Sequence, residues 1–122
     1  MTPNIFPALR YRDCDAAITF LRDAFGFTEK AAYRGDDGAV HHAEMQFEGG
    51  GMIMFGTGDP GSGSATIYAV VADPDAHHAR AVAAGAKVTR ELSDMDYGSR
   101  EYGVEDSEGH SWSFGTYDPY AA

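Results

Sequence analysis

One order of elements is written twice in this chain, and it constrains the fold more than any other feature. A strand, an aspartate-opened helix stopped by glycine, and three further strands occur before a glycine-rich stretch and again after it. In the first copy, Ile5 to Tyr11 reads as a strand. Pro3 and Pro7 suit an edge position, where missing amide donors cost little. Asp13 or Asp15 opens a helix running to about Phe25, with Ala17, Phe20, Leu21, Ala24 and Phe25 on one stripe and Gly26 as its stop. Phe27 to Arg34, Val40 to Glu48 and Met52 to Phe55 follow as strands. In the second copy, Ala65 to Ala72 is a strand, Asp73-Pro74 opens a helix that stops at Gly85, and Lys87 to Leu92 precedes a closing hairpin. Gly26 corresponds to Gly85, and the turn near Gly50 to that at Gly109. Side-chain identity between the halves is poor, so the repeat lives in element order and punctuation.

Each βαβββ module would expose an apolar sheet face, and packing two of them edge to edge curls both sheets round a shared cleft. The expected fold is therefore α+β, with paired βαβββ modules forming an open, incompletely closed barrel around that cleft. The 122 residues make one domain. Module 1 spans about 4–56, a linker 57–64, and module 2 about 65–117. The linker, Gly-Thr-Gly-Asp-Pro-Gly-Ser-Gly-Ser from Gly56, lacks the Gly-Lys-Ser/Thr ending of a phosphate loop.

The closing hairpin carries the most chemistry. Arg100, Tyr102 and Val104 alternate with Glu101, Gly103 and Glu105 before the Asp106-Ser107-Glu108-Gly109 turn; His110, Trp112 and Phe114 alternate with Ser111, Ser113 and Gly115 after it. Trp112 and Phe114 are expected beneath a helix, which gives Ser111 and Ser113 the cleft side. Tyr68 shares parity with Thr66 and should line the cleft. Arg100 and Tyr102 share a strand face. If it looks into the cleft, Arg100 offers a two-pronged fork for a carboxylate or phosphonate; otherwise Arg100 pairs with Glu101, Glu105 or another acidic neighbour.

A formal net charge of −10 argues against nucleic acid or an anionic membrane surface as partner, since both need clustered Lys and Arg. It does not by itself argue for a cationic ligand, because acidic surface mostly serves solubility. The single cysteine, Cys14, permits no intramolecular disulfide and fits a reducing compartment. Its helix-start position could lower a thiol pKa, but the sequence places no partner beside it, and a structural role is expected. The opening residues show no basic region followed by an apolar run, so the cytoplasm is the expected location.

His42 and Glu44 lie two apart on one strand face. They either begin a metal site or form a polar strand face. His41 points to the other side. His77 and His78 diverge by about 100° on a helix and read as solvated surface. His110 reads as a turn residue.

The chain resembles the vicinal oxygen chelate superfamily, the glyoxalase/bleomycin-resistance/dioxygenase group. The resemblance rests on Asp13 with Ala16-Ala17-Ile18-Thr19-Phe20-Leu21, Phe25-Gly26-Phe27, His42-Ala43-Glu44-Met45, Asp73-Pro74-Asp75, Ala83-Ala84-Gly85-Ala86, Tyr97-Gly98-Ser99-Arg100 and Asp106-Ser107-Glu108-Gly109-His110-Ser111-Trp112. It is similar in particular to small bacterial glyoxalase-like proteins of the PhnB type. The resemblance implies the paired-module fold, a homodimer, and a cleft. It also places the family's usual metal-ligand positions on Phe6, Ile53 or Met54, Thr66 and Ser113, none of them a transition-metal ligand of the usual His, Cys or carboxylate kind. The expected function is thus metal-independent binding of a small, aromatic or cationic molecule, with no cofactor. Phe6, His42, Glu44, Met54, Thr66, Tyr68, Arg100, Tyr102 and Ser113 are the candidate ligand-binding residues. The alternative is a metal-dependent lyase or dioxygenase whose site has moved to His42 and Glu44.

Overall fold

Both helices open on an aspartate, as the sequence suggests. The Ala16 amide donates to Asp13 Oδ1 at 3.0 Å and the Ala76 amide to Asp73 Oδ1 at 3.1 Å, each satisfying a donor the helix itself leaves open. The computed structural model describes residues 6–61 and 65–121. They divide between two compact units, residues 1–63 and 64–122.

The first unit holds β1 (Ala8–Tyr11), α1 (Cys14–Phe20) with a π-helical continuation (Leu21–Phe25), β2 (Thr28–Arg34), β3 (Val40–Gln46) and β4 (Met52–Thr57). Its sheet runs β1-β4-β3-β2, with β1 parallel to β4 and the other pairs antiparallel. The second holds β5 (Thr66–Val70), α2 (Pro74–Ala83), β6 (Lys87–Asp94), β7 (Arg100–Glu105) and β8 (Ser111–Gly115). Its order is β5-β8-β7-β6, with β5 parallel to β8. The repeated element order is therefore a repeated topology: two separate four-stranded mixed sheets, each with one helix, in an α+β chain.

Each sheet is asymmetric across its faces. In the first unit, Ala43, Met45, Ile53 and Phe55 are buried together with Tyr11, Ala17, Leu21, Ala24 and Phe25. In the second, Tyr102, Val104, Trp112 and Phe114 are buried, and His77 of α2 packs on Phe114 with ring centroids 4.1 Å apart.

Several boundaries differ from the sequence reading. β1 begins at Ala8, and Phe6 precedes it, 39% exposed. Pro7 has no amide to give the ladder, though its carbonyl accepts from the Met54 amide at 3.0 Å. Pro3 and Ile5 lie outside the described residues. The first helix does not stay α-helical to Phe25: the Gly26 amide reaches back five residues to the Leu21 carbonyl, and Gly26 closes the turn at φ 85°. β4 continues through Gly56 and Thr57, so the segment assigned to the linker begins inside a strand; its residues 62–64 lie outside the described set. His77 and His78 are not solvated surface. His77 Nδ1 lies 2.6 Å from the Tyr102 hydroxyl, and His78 stands edge-on to the Tyr102 ring. Among the described residues no helix is long and apolar enough to cross a membrane.

Candidate functional site

Strand register decides which side chains share a face. On the first sheet, the side turned away from α1 carries the row Ala8–Met54–Glu44–Ala31. Beside it lie Arg10 opposite Gly56 and His42 opposite Tyr33. His42, Glu44 and Met54 are therefore on one face, while Phe6 belongs to no strand. His42 Nε2 lies 3.0 Å from Glu44 Oε2, Lys30 Nζ lies 3.6 Å from Glu44 Oε1, and the Tyr33 ring stacks on His42. The hydrogen bond from His42, helped by Lys30, holds the Glu44 carboxyl below the usual range. His41 is the residue skipped where the β2–β3 register shifts, and its Nε2 lies 3.8 Å from Asp37 Oδ1.

On the second sheet, the side turned away from α2 has three cross-strand rows. These are Thr66–Ser111–Glu105–Lys87, Tyr68–Ser113–Gly103–Arg90 and Val70–Gly115–Glu101–Ser93. Thr66, Tyr68 and Ser113 share this face. Arg100 and Tyr102 do not, which corrects the expectation for both. β7 pairs antiparallel with β8 so that Tyr102 sits opposite Phe114, and residues directly opposite point the same way. Tyr102 is consequently core, its hydroxyl at His77 Nδ1, and burial pushes its phenol up. Arg100 reaches Asp75 on α2 through Nε and Nη2, at 3.0 and 2.9 Å, and Asp94 through Nη1 at 3.1 Å. Its fork is filled by acidic neighbours, though not by Glu101 or Glu105. Both contacts hold the guanidinium charged, and Arg100 in turn lowers the Asp75 carboxyl.

The same register brings forward three residues absent from the sequence candidates. Glu101 is only 4% exposed. Arg90 Nη2 donates to Ser113 Oγ at 3.0 Å and lies 3.4 Å from Glu101 Oε1; the Tyr97 hydroxyl donates to Glu101 Oε2 at 2.8 Å. That bond to a carboxylate pushes the Tyr97 phenol up. Glycine makes room for the cluster. A Cβ at Gly103 would stand 3.3 Å from Arg90 Cβ, and one at Gly115 would overlap Glu101 Cγ and approach the Tyr68 hydroxyl to 2.9 Å. Tyr68 is fixed in turn by donating to the Tyr117 carbonyl at 2.7 Å, and burial raises its phenol. The signal was available: with Trp112 and Phe114 assigned to the core, counting back across the Asp106–His110 turn puts Glu101 and Gly103 beside Ser113.

A transition metal needs three or four N, O or S donors. Among the described residues no three His, Cys, Asp or Glu side chains stand close enough to hold one. Thr66 Oγ1 instead lies 3.1 Å from Ser111 Oγ, and Ser113 is engaged by Arg90. The residues at the resemblance-derived metal positions do not fit a metal ion. What the second sheet offers is a polar cluster of one buried carboxylate, one guanidinium and hydroxyls over a floor of glycine and serine.

Comparison with known proteins agrees with this architecture. The crystal structure of TioX from Micromonospora sp. ML1 superposes with a TM-score of 0.78 at 33% identity, covering 93% of this chain and 98% of that one. A glyoxalase-related enzyme from Clostridium phytofermentans superposes at 0.79 with 16% identity, covering 97% of both chains, a likeness of fold alone. An uncharacterized protein of Mycobacterium tuberculosis, Rv0887c, is 35% identical over 126 residues, spanning 93% of this chain and 74% of the relative. The family model described as Glyoxalase/Bleomycin resistance protein/Dioxygenase superfamily matches residues 6–114, and the chain belongs to that superfamily.

Proposed function

We propose that this protein binds a small organic molecule without a metal ion, on the sheet faces turned away from the helices. The observation that carries the reading is the second sheet's away-facing surface. There, a carboxylate 4% exposed, an arginine and a serine are hydrogen-bonded to one another over Gly103 and Gly115. Burying a charged group is costly unless it is paired, so a fold with no use for polar chemistry on this surface would carry apolar residues here. Superfamily membership supports the reading, as does the lack of a three-donor cluster among the described residues. The proposal includes a homodimer, as the resemblance implies, and a cytoplasmic location.

Two measurements test it. A thermal-shift panel of neutral, cationic and anionic aromatic molecules should raise the melting temperature for at least one member, since binding to the native state stabilises it. No shift across the panel would overturn the binding reading. Elemental analysis of protein purified without chelators, then titrated with Zn²⁺, Ni²⁺, Mn²⁺ and Fe²⁺, should find no stoichiometric ion. A tight ion lost in His42→Ala would instead establish a metal site on His42 and Glu44. Light scattering should give twice the chain mass.

A further inference from the structure

The Arg90 cluster narrows the chemistry of the ligand. Arg90 starts on the edge strand β6, yet its side chain folds inward over Gly103 until Nη2 reaches Ser113 on β8, two strands away. Nη2 accounts for both of its hydrogen bonds, to Ser113 Oγ and to Glu101 Oε1. No partner for its Nε or Nη1 stands among the described residues, and the side chain is 47% exposed. Ser113 Oγ accepts from Arg90, which leaves its own hydrogen to donate. Glu101 is occupied on both oxygens, by Arg90 and by Tyr97, and is too buried to meet a ligand cation. The carboxylate thus acts as a backstop that fixes the guanidinium through Nη2 and leaves Nε and Nη1 of this half-exposed side chain available to a ligand. Beyond Ser113 in the same row stands Tyr68, its ring held by the bond to the Tyr117 carbonyl.

We infer that this face takes a small organic carboxylate, its oxygens received by Arg90 and the Ser113 hydroxyl and its apolar or aromatic body lying against Tyr68. The inference rests on the binding function proposed above. It assigns the anion-binding role to Arg90 rather than to Arg100, whose donors are consumed by Asp75 and Asp94. The chain's net charge of −10 does not forbid this, because at physiological ionic strength distant charges are screened beyond about 8 Å while a guanidinium in direct contact is not. A planar, always-charged fork with one side anchored is suited to a carboxylate, and holding it in place beforehand lowers the cost of binding.

The test is calorimetric titration with benzoate, phenylacetate and the cation benzyltrimethylammonium. The carboxylates should bind saturably to the wild type and the cation should not. Arg90→Ala should weaken carboxylate binding at least tenfold, whereas Arg22→Ala, which removes the same charge from an exposed position, should leave it unchanged. Ser113→Ala should weaken it several-fold. Circular dichroism checks folding, and Arg90→Lys, which keeps the charge but not the fork, guards against loss of structure by binding at reduced affinity. Equal affinity in Arg90→Ala overturns the inference. So does binding of the cation alone, or of neither class, and in those cases the wider thermal-shift panel decides separately whether the protein binds small molecules.

Discussion

Gly115→Ala isolates the steric condition on which the Arg90–Glu101–Ser113 cluster depends. The added methyl would overlap Glu101 Cγ and stand 2.9 Å from the Tyr68 hydroxyl. Neither neighbour yields freely, since Glu101 is held by Arg90 and Tyr97, and Tyr68 by the Tyr117 carbonyl. Overpacking of this kind costs about 1–3 kcal/mol. Gly115 is not among the glycines with positive φ, so alanine also restricts the unfolded chain and returns about 0.4–1 kcal/mol. At mid-range of both terms the expected net loss is about 1.3 kcal/mol. For a chain of this length each kcal/mol lowers Tm by roughly 3–6 °C. Trp112, the only tryptophan, lies in the same sheet, so its fluorescence during urea or thermal unfolding reports on this unit. Gly103→Ala is the internal comparison. Its new methyl would meet Thr89 Oγ1 at 3.1 Å and Arg90 Cβ at 3.3 Å, contacts a few tenths of an ångström can relieve, and it should cost less. Repeating Gly115→Ala in a Glu101→Ala background removes the Cγ that clashes, so the penalty should shrink by at least about 0.5 kcal/mol. A Gly115→Ala protein as stable as the wild type, or the same penalty in both backgrounds, would refute the packing argument.

Three further outcomes concern the second unit, at Tyr102, Asp106 and Asp75. Tyr102→Phe removes the hydroxyl at His77 and should cost about 0.5–1.5 kcal/mol in urea unfolding while leaving carboxylate binding unchanged; altered binding would put Tyr102 back in the site. Asp106→Asn should cost roughly 1–3 kcal/mol, because Asp106 accepts from the Glu108 and His110 amides and from Trp112 Nε1 at 2.9 Å, and an amide nitrogen cannot replace an accepting oxygen. Asp75 has its carboxyl held low by Arg100 in the folded state. Its contribution is therefore complete above the unfolded carboxyl value near 3.8 and is lost as pH falls through the lower folded value. The stability difference between wild type and Asp75→Asn should be constant at neutral pH and shrink below about pH 4; a difference that persists at the lowest pH would remove Asp75 from the acid dependence.

The sequence disclosed what is periodic or punctuated and concealed what depends on register. Asp13 and Asp73, Gly26 and Gly85, and the alternation around Ala43, Met45, Trp112 and Phe114 are local signals, and each led to the right element or face. The closing hairpin shows where local signals stop. Arg100, Tyr102 and Val104 form as good an amphipathic row as Glu101, Gly103 and Glu105, and alternation alone does not say which row meets the helix. That choice is set by pairing: Tyr102 falls opposite Phe114, so once Phe114 is core Tyr102 is core, and Glu101 is committed to the other face. A one-residue error in parity exchanges the two rows completely, which is how Arg100 and Tyr102 stood among the candidates and Glu101 did not. Arg90 was harder still to find. It lies on an edge strand whose pairing shifts register on either side of it, and it reaches Ser113 only because Gly103 leaves space above the intervening strand. No spacing rule links residues 90, 101 and 113 along the chain. Their association depends on a β-bulge, a missing side chain and a long flexible one, and those are tertiary facts. Gly103 and Gly115, which the sequence shows only as small positions in the alternation of two strands, are in the folded sheet the space in which the Arg90–Glu101–Ser113 cluster sits.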